Sequence, residues 1–260
     1  MKRIALGFLL IVFIASPLFA AGITDSTKPL GHLKWAATAE DNYVFERDID
    51  TPENKTKVEM EDINQIYGKL SLGLTPYFNV YAKVGASDAG DIKDYDTSDI
   101  QLDIDTEYGL LWGVGVSGAR EIFKGNGWML GLDAQFNWWR SDVDSVTFNG
   151  TKATNVGGKI VDLEFQGTPF VSKRFEVPSW NLAINPYVGL KVSYFRTQTD
   201  DNITYVGAGL DRVSSWTTRG DDYVGVVVGT DLEIKNNIAL QVEGRFIDEA
   251  AITAGGTYRF

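Results

Sequence analysis

The sequence predicts an all-β protein, a transmembrane antiparallel up-and-down β-barrel of about 10 strands, with roughly 8–12 as the range that the pattern allows. Three observations predict it: a short apolar leader, alternation of apolar and polar residues through the rest of the chain, and an aromatic residue at its end. Alternation with a period of two is the pattern of β-strands. Apolar residues on the outer face and polar residues on the inner face are typical of a barrel wall in lipid.

The leader has the pattern of an export signal. Lys2 and Arg3 precede an apolar stretch over residues 4–14, and small residues follow at positions 20–22. A transmembrane helix needs about 20 apolar residues, so this stretch favours a cleaved signal peptide over an anchor. We therefore expect a signal peptide over residues 1–22 and a single outer-membrane β-barrel domain over residues 23–260.

The strands are expected near residues 32–45, 63–75, 77–87, 105–118, 127–141, 159–172, 181–197, 222–234, 238–247 and 251–260. Long polar connections are expected over 47–61, 88–104, 142–158 and 198–221, and short ones over 75–76, 119–126, 173–180 and 235–237. Bacterial barrels combine tight periplasmic turns with longer external loops, and an even strand number puts both termini in the periplasm. The last strand must pair with the first, because backbone groups in hydrocarbon need internal partners.

Charged residues on the polar face of these strands are expected to line the lumen. They are Asp133, Asp162, Glu164, Lys191, Asp231, Glu233, Glu243 and Arg245. Mixed charges could fill a narrow barrel with ion pairs or line a wet pore. Width decides between the two, because side chains just fill a barrel of about 8 strands, whereas 16–18 strands leave a channel. A soluble β-sandwich is the main structural alternative, but its strands are usually only about 5–6 residues long.

Aromatic residues cluster toward the strand ends and are expected to form two interfacial girdles. The periplasmic girdle would contain Tyr77, Phe78, Trp128, Trp180, Tyr258 and Phe260. The outer girdle would contain Tyr43, Phe45, Trp138, Trp139, Tyr194, Phe195 and Tyr223.

The end of the chain resembles the terminal strand of bacterial outer-membrane barrels. Thr253, Gly255, Tyr258 and Phe260 match the pattern polar-x-Gly-x-x-aromatic-x-aromatic. The resemblance implies that these four residues are an assembly signal for the barrel-assembly machinery, with Phe260 as the key residue.

Several segments resemble the chlamydial-type major outer-membrane porin family, in the same order along the chain. They cover residues 70–87, 113–120, 131–136, 185–193 and 245–251, followed by the closing Phe260. The resemblance implies a general-diffusion porin. The chain departs from that family in having 0 cysteines and a shorter length, which implies a narrower barrel without disulfide cross-links.

Residues typical of catalysis are sparse. His32 is the single histidine, and the chain has no Gly-x-Ser-x-Gly motif and no phosphate-binding loop. We therefore expect that the protein is not an enzyme and that it has no catalytic, cofactor-binding or metal site. The acidic stretch 88–105 offers carboxylates that hard cations prefer, but its spacing does not match an EF-hand, and a solvated external loop is the simpler interpretation.

The charge balance restricts the partners. With 24 basic and 35 acidic residues the chain carries a net charge of −11, which excludes a basic nucleic-acid footprint. The expected partners are outer-membrane lipid and lipopolysaccharide, the barrel-assembly machinery, and small solutes or ions. The leading expectation is an integral barrel of the bacterial outer membrane with porin-like passive passage of small polar solutes or ions. The alternative is a plugged structural or adhesive barrel that contacts ligands through its long external loops.

Overall fold

The computed structural model describes residues 27–50, 56–96, 101–207, 210–214, 217–235 and 237–260. The signal peptide expected over 1–22 lies outside these residues. The described strands are β1 (Trp35–Asp50), β2 (Thr56–Gly73), β3 (Phe78–Ser87), β4 (Asp91–Asp96), β5 (Gln101–Glu107), β6 (Gly109–Phe123), β7 (Trp128–Phe148), β8 (Thr151–Lys152), β9 (Thr154–Lys173), β10 (Phe175–Val177), β11 (Leu182–Gly207), β12 (Leu210–Ser214), β13 (Thr217–Gly220), β14 (Val224–Ile234), β15 (Ile238–Phe246) and β16 (Ala250–Arg259). A short 3-10 helix spans Pro178–Trp180. No helix in the described part of the chain is long and apolar enough to cross a membrane.

A closed antiparallel ring forms the lower part of the molecule, and we call it the ten-strand ring. Within the described residues its order is β1, β2, β3, β6, β7, β9, β11, β14, β15 and β16, and β16 pairs back with β1. The start of β1 and the last residue of the chain lie at one end of this ring, which we call the terminal end; there the Phe260 N–H donates to the Trp35 carbonyl at 3.0 Å. The all-β barrel and its ten strands are confirmed, and among the described strands of this ring each one pairs with a neighbour on both sides.

The ring narrows at the opposite end, which we call the distal end. β3 and β6 stop there, as do β14, β15 and β16, while β4 and β5 fill the gap between β2 and β7. β13 pairs with both β11 and β1. Among the described residues, the distal circuit therefore has eight strands: β1, β2, β4, β5, β7, β9, β11 and β13. We call it the eight-strand ring.

The long connections expected over 47–61, 88–104, 142–158 and 198–221 are largely strand instead. Their alternating residues extend β1, β2, β7, β9 and β11 and form β4, β5 and β13, and these eight strands build the eight-strand ring. Apolar residues such as Ile92 and Ile104 fall on the inward face of this ring and are buried there. Burial of that face explains why these stretches are ordered sheet rather than loops.

The outer wall of the ten-strand ring is apolar, as expected for a surface in lipid. Exposed apolar side chains on it include Leu70, Val84, Leu110, Trp112, Val114, Leu130, Leu132, Phe165, Val188, Leu190, Val228, Val242 and Phe246. Aromatic rings fill the inside where glycine leaves room on the next strand: a Cβ at Gly115 would overlap the ring of Tyr81, and one at Gly229 would overlap the ring of Tyr187.

His32 precedes β1 instead of starting the first strand. It lies in a turn at the terminal end, where its Nδ1 contacts the Leu74 carbonyl at 2.8 Å.

Candidate functional site

The interior of the barrel contains the charged residues that the sequence singled out. Asp133, Asp162, Glu164, Lys191, Asp231, Glu233, Glu243 and Arg245 are all buried, and none is more than 6% exposed. They alternate along their strands with the residues of the outer wall. The structure therefore places all eight on the inner face of the barrel.

A turn between β15 and β16 supplies the central carboxylate of this interior. Glu249 accepts from Lys191 Nζ at 2.5 Å and from Arg245 Nε at 2.5 Å, and it also pairs with Arg47. Its side chain is buried although it belongs to a connection at the distal side of the strands. The short connection thus folds its acidic group into the barrel.

Further carboxylates surround the same three cations. Asp248 lies 2.8 Å from Lys191 Nζ, and Glu164 lies 3.3 Å from it. Arg47 contacts Glu164 at 3.0 Å, and Arg245 contacts Glu243 at 3.5 Å. We call this cluster the ionic centre; its members are Arg47, Glu164, Lys191, Glu243, Arg245, Asp248 and Glu249. Buried charges of this kind need close partners to offset their desolvation.

Three members of the ionic centre were missed by the sequence reasoning, which placed Arg47 in a long polar connection and left Asp248 and Glu249 between the last two expected strands. A register shift between Val44 and Glu46 changes which residues of β1 face inward, and it brings Arg47 to the interior. An irregularity of this kind leaves no reliable local mark in one sequence.

Uncharged and charged groups share the space between the ionic centre and the terminal end. The Tyr81 hydroxyl donates to Asp133 at 2.9 Å, and the Tyr187 hydroxyl donates to Glu243 at 2.8 Å. Lys83 Nζ donates to Gln135 at 2.6 Å. Each of these bonds joins two strands that have one other strand between them in the ring.

The segment before β1 lies against the mouth of the barrel at the terminal end. Thr27 donates to Asp231, and Lys28 Nζ lies 3.2 Å from Glu233. The Leu30 N–H donates to the Asn79 side chain at 3.1 Å, and the Leu30 side chain is buried. This end of the barrel is therefore at least partly covered by the chain's own N-terminal segment.

An apolar core fills the eight-strand ring. Its members include Val44, Ile49, Val58, Met60, Ile63, Ile92, Ile104, Leu111, Trp139, Val143, Val146, Ile160 and Phe195. Trp139 and Phe195 stack with ring centroids 5.9 Å apart, and Arg47 lies 4.3 Å from the Phe195 centroid. The core thus rests directly on the ionic centre. Trp139 and Phe195 were expected in the outer girdle, and that placement was wrong because both lie on the inward face.

The outer face of the eight-strand ring is polar. It carries Glu46, Asp48, Glu61, Asp91, Lys93, Asp103, Asp105, Arg140, Asp142 and Lys159. The polarity of the wall therefore inverts along the barrel axis: apolar outside and polar inside in the ten-strand ring, polar outside and apolar inside in the eight-strand ring. The second arrangement is that of a protein in water.

Two acidic groups stand on this polar surface. Carboxylate oxygens of Asp91, Asp103 and Asp105 lie within 4.8 Å of one another, as do those of a second group, Glu46, Asp48 and Glu59. Burial, and then the charge of Asp105, raise the pKa of Asp91 to about 6. Burial and the Asp105 charge also raise the pKa of Asp103. The stretch interpreted as a solvated loop is therefore a charged sheet surface.

The terminal-strand residues divide between the two faces of β16. Thr253 is buried and accepts from Arg245 at 2.8 Å, which links it to the ionic centre. Gly255 is also buried. Tyr258 and Phe260 are exposed on the outer wall at the terminal end, with ring centroids 5.4 Å apart.

Comparison with known proteins gives likeness in fold. No protein-family model and no curated protein match the chain. Among solved structures, the translocator domain of autotransporter NalP from Neisseria meningitidis is 11% identical with a TM-score of 0.45, over 87% of this chain and 88% of that chain. Outer membrane protease OmpT from Escherichia coli is 12% identical with a TM-score of 0.44, over 88% and 95%. Outer membrane protein OprG from Pseudomonas aeruginosa is 12% identical with a TM-score of 0.43, over 89% and 99%.

The prediction that the chain is not an enzyme was wrong. OmpT is a protease, so a barrel of this kind gives no ground for excluding catalysis. The likeness to these barrels assigns no activity to this chain. The strand pairing shows an all-β chain that closes into an antiparallel barrel, and the solved structures similar to it include proteins of the bacterial outer membrane.

Proposed function

We propose that this protein is a closed barrel of the bacterial outer membrane that acts through the eight-strand ring it presents outside the membrane. The observation that carries the proposal is the apolar core of that ring. A barrel of about eight strands is just filled by its side chains. An ion or polar solute would have to leave water to cross this core, at a large cost in free energy.

The charges on the eight-strand ring support a role in contact. In the proposed orientation the terminal end lies in the periplasm and the eight-strand ring faces the medium. Its outer surface is rich in carboxylates, including those of Asp91, Asp103 and Asp105. A negatively charged surface attracts cationic groups, so we propose that the partner of the eight-strand ring is a basic surface or ligand. The ten-strand ring then serves as the anchor in lipid.

Porin-like passage of small polar solutes or ions is the second candidate. The polar interior of the ten-strand ring favours it, with both signs of charge meeting at the ionic centre. The resemblance of several segments to the chlamydial-type porin family favours it as well. This candidate requires the stacked rings of Trp139 and Phe195 to move aside.

Conductance in a planar lipid bilayer separates the two candidates. The protein is refolded in detergent, checked by heat-modifiable gel migration, and compared with a general-diffusion porin at the same protein amount. We expect no stepwise conductance, because the apolar core blocks the ion path. Stepwise channels whose conductance rises with salt would overturn the closed-barrel proposal and favour the second candidate.

Binding to a cationic surface tests the contact role separately. We expect the folded protein to be retained on polylysine-coated beads, and retention to fall when Asp91 and Asp103 are both replaced by Asn. The matched control replaces Glu121 and Glu176, two exposed carboxylates at the terminal end, by Gln. Equal retention of the two variants would refute a contact role for this acidic surface.

A further inference from the structure

Two arginines face one another on the outer wall at the level where its polarity inverts. Arg196 of β11 and Arg219 of β13 are direct partners in the antiparallel register, and both side chains are exposed. Like charges placed directly opposite each other destabilise a sheet. An anion between the two guanidinium groups would remove that repulsion.

Neighbouring cations on the same wall already have carboxylate partners. Arg140 pairs with Asp200 at 2.7 Å, and Lys159 lies 3.7 Å from Asp142. Among the described side chains, Arg196 and Arg219 form no ion pair with a carboxylate. The register partner of Arg219 on β1 is Asp50, and Asp221 lies two residues after Arg219. Both guanidinium groups are therefore available to an anion that approaches from outside the barrel.

An aromatic ring connects the arginines to the apolar wall below them. Tyr194 lies two residues before Arg196 on the same face of β11, and the Arg219 guanidinium lies 5.8 Å from the centroid of its ring. Contact with a ring face orients a guanidinium and leaves its N–H groups available at the edges.

A groove of about 930 Å³ runs across the apolar wall beneath this ring. Ala134, Gly167 and Val192 lie side by side in the register and form its floor. Phe136 and Phe165, with ring centroids 4.8 Å apart, form its distal side. The floor is low because nothing stands within 4 Å of where a Cβ of Gly167 would lie.

We infer that this sector binds one lipid with a phosphorylated headgroup, which places its phosphate between Arg196 and Arg219 and an acyl chain in the groove. Guanidinium groups bind phosphate through paired, charge-assisted hydrogen bonds. Val192 lies four residues from Arg196, or roughly 14 Å along the strand, which matches the offset between a headgroup and the upper part of its chain. The inference does not depend on whether the barrel conducts.

Native mass spectrometry of the refolded protein, released from a neutral detergent, tests the site. Dioleoyl phosphatidate is the probe; dioleoylglycerol supplies the chains without the phosphate, and inorganic phosphate supplies the anion without the chains. We expect one phosphatidate per barrel to be retained at concentrations at which neither dioleoylglycerol nor inorganic phosphate is retained. Equal retention of dioleoylglycerol, or retention of inorganic phosphate alone, would overturn the inference.

Variants assign the binding to this sector. Arg196→Gln with Arg219→Gln should weaken phosphatidate binding by about tenfold or more, because charge-assisted hydrogen bonds are lost. Gly167→Leu places a large side chain in the groove and should also weaken phosphatidate binding, while it leaves the headgroup contacts in place. Arg120→Gln at the terminal end is the matched control and should bind as the parent does. Unchanged binding by the double variant, in protein that shows heat-modifiable migration, would refute the site.

Discussion

Removal of the Glu249 carboxylate is expected to destabilise the barrel more than removal of any surface charge. Glu249 is 3% exposed and contacts Lys191, Arg245 and Arg47. Glu249→Ala leaves three buried cations with less negative charge than they need, and breaking a buried ion pair costs about 3–5 kcal/mol. With a urea m-value of about 2 kcal/mol/M, the unfolding midpoint should fall by about 2 M.

Reversible urea unfolding of the barrel, followed by tryptophan fluorescence and heat-modifiable migration, measures this loss. Glu176→Ala is the control, because Glu176 pairs with Arg174 at 3.1 Å but is largely exposed, and an exposed pair contributes about 0–1 kcal/mol. Glu249→Gln keeps the size of the side chain and should lose most of the stability that Glu249→Ala loses. A Glu249→Ala loss no larger than that of the control would refute the view that the ionic centre holds the barrel together.

The remaining predictions concern pH, backbone packing and assembly. The pKa of Asp91 is raised from its ordinary value of 3.8 to about 6, so the folded barrel binds this proton more tightly than the unfolded chain does. The stability that the protonated carboxyl confers is therefore present below about pH 4 and is lost as the pH rises through 6. The urea midpoint should rise when the pH is lowered from 6 to 4, and Asp91→Asn should reduce that rise. Gly109→Ala should lower the free energy of unfolding by about 1–3 kcal/mol, because its Cβ would overlap the Arg140 carbonyl. Gly167→Ala should change it by less than about 0.5 kcal/mol, because the space around a Cβ is open there. Equal urea midpoints for the two variants would contradict this. Deletion of Phe260 should lower the amount of heat-modifiable barrel formed in cells but leave refolding from urea into detergent unchanged; loss of both would mean that the residue acts in folding rather than in recognition.

The ten-strand ring could be predicted from the sequence because lipid imposes a simple rule on it. Every second residue of a strand in the wall must be apolar, and β15 follows this rule over its whole length, Ile238–Phe246. Its inward residues Glu243 and Arg245 were identified by the same alternation, and both are buried. The rule needs no knowledge of neighbouring strands, so one sequence suffices.

The eight-strand ring could not be predicted because the same alternation has the opposite meaning there. Val143 and Val146 face inward, although apolar residues of β7 nearer the terminal end face lipid. Register irregularities opposite Asp105 and after Val44 also shift which residues face inward. Only the pairing of strands far apart in the chain shows which face is enclosed.

The ionic centre was missed in part for a different reason. Asp248 and Glu249 form a short acidic turn, and such turns are normally solvated. Their burial depends on Lys191 of β11 and Arg47 of β1, which lie far away in the sequence. No local pattern indicates that a turn folds inward to meet cations contributed by other strands.

The change from ten strands to eight gives the two ends of one continuous sheet different responses to temperature. Hydrogen bonds between strands hold the ten-strand ring in hydrocarbon, where no water competes for them. The eight-strand ring depends instead on keeping apolar side chains from water, a driving force that weakens on cooling. β1, β2, β7, β9 and β11 pass through both rings. On cooling, each of these strands should therefore lose its pairing first at its distal end. The eight-strand ring is then the cold-sensitive part of the protein, and the ten-strand ring stays intact.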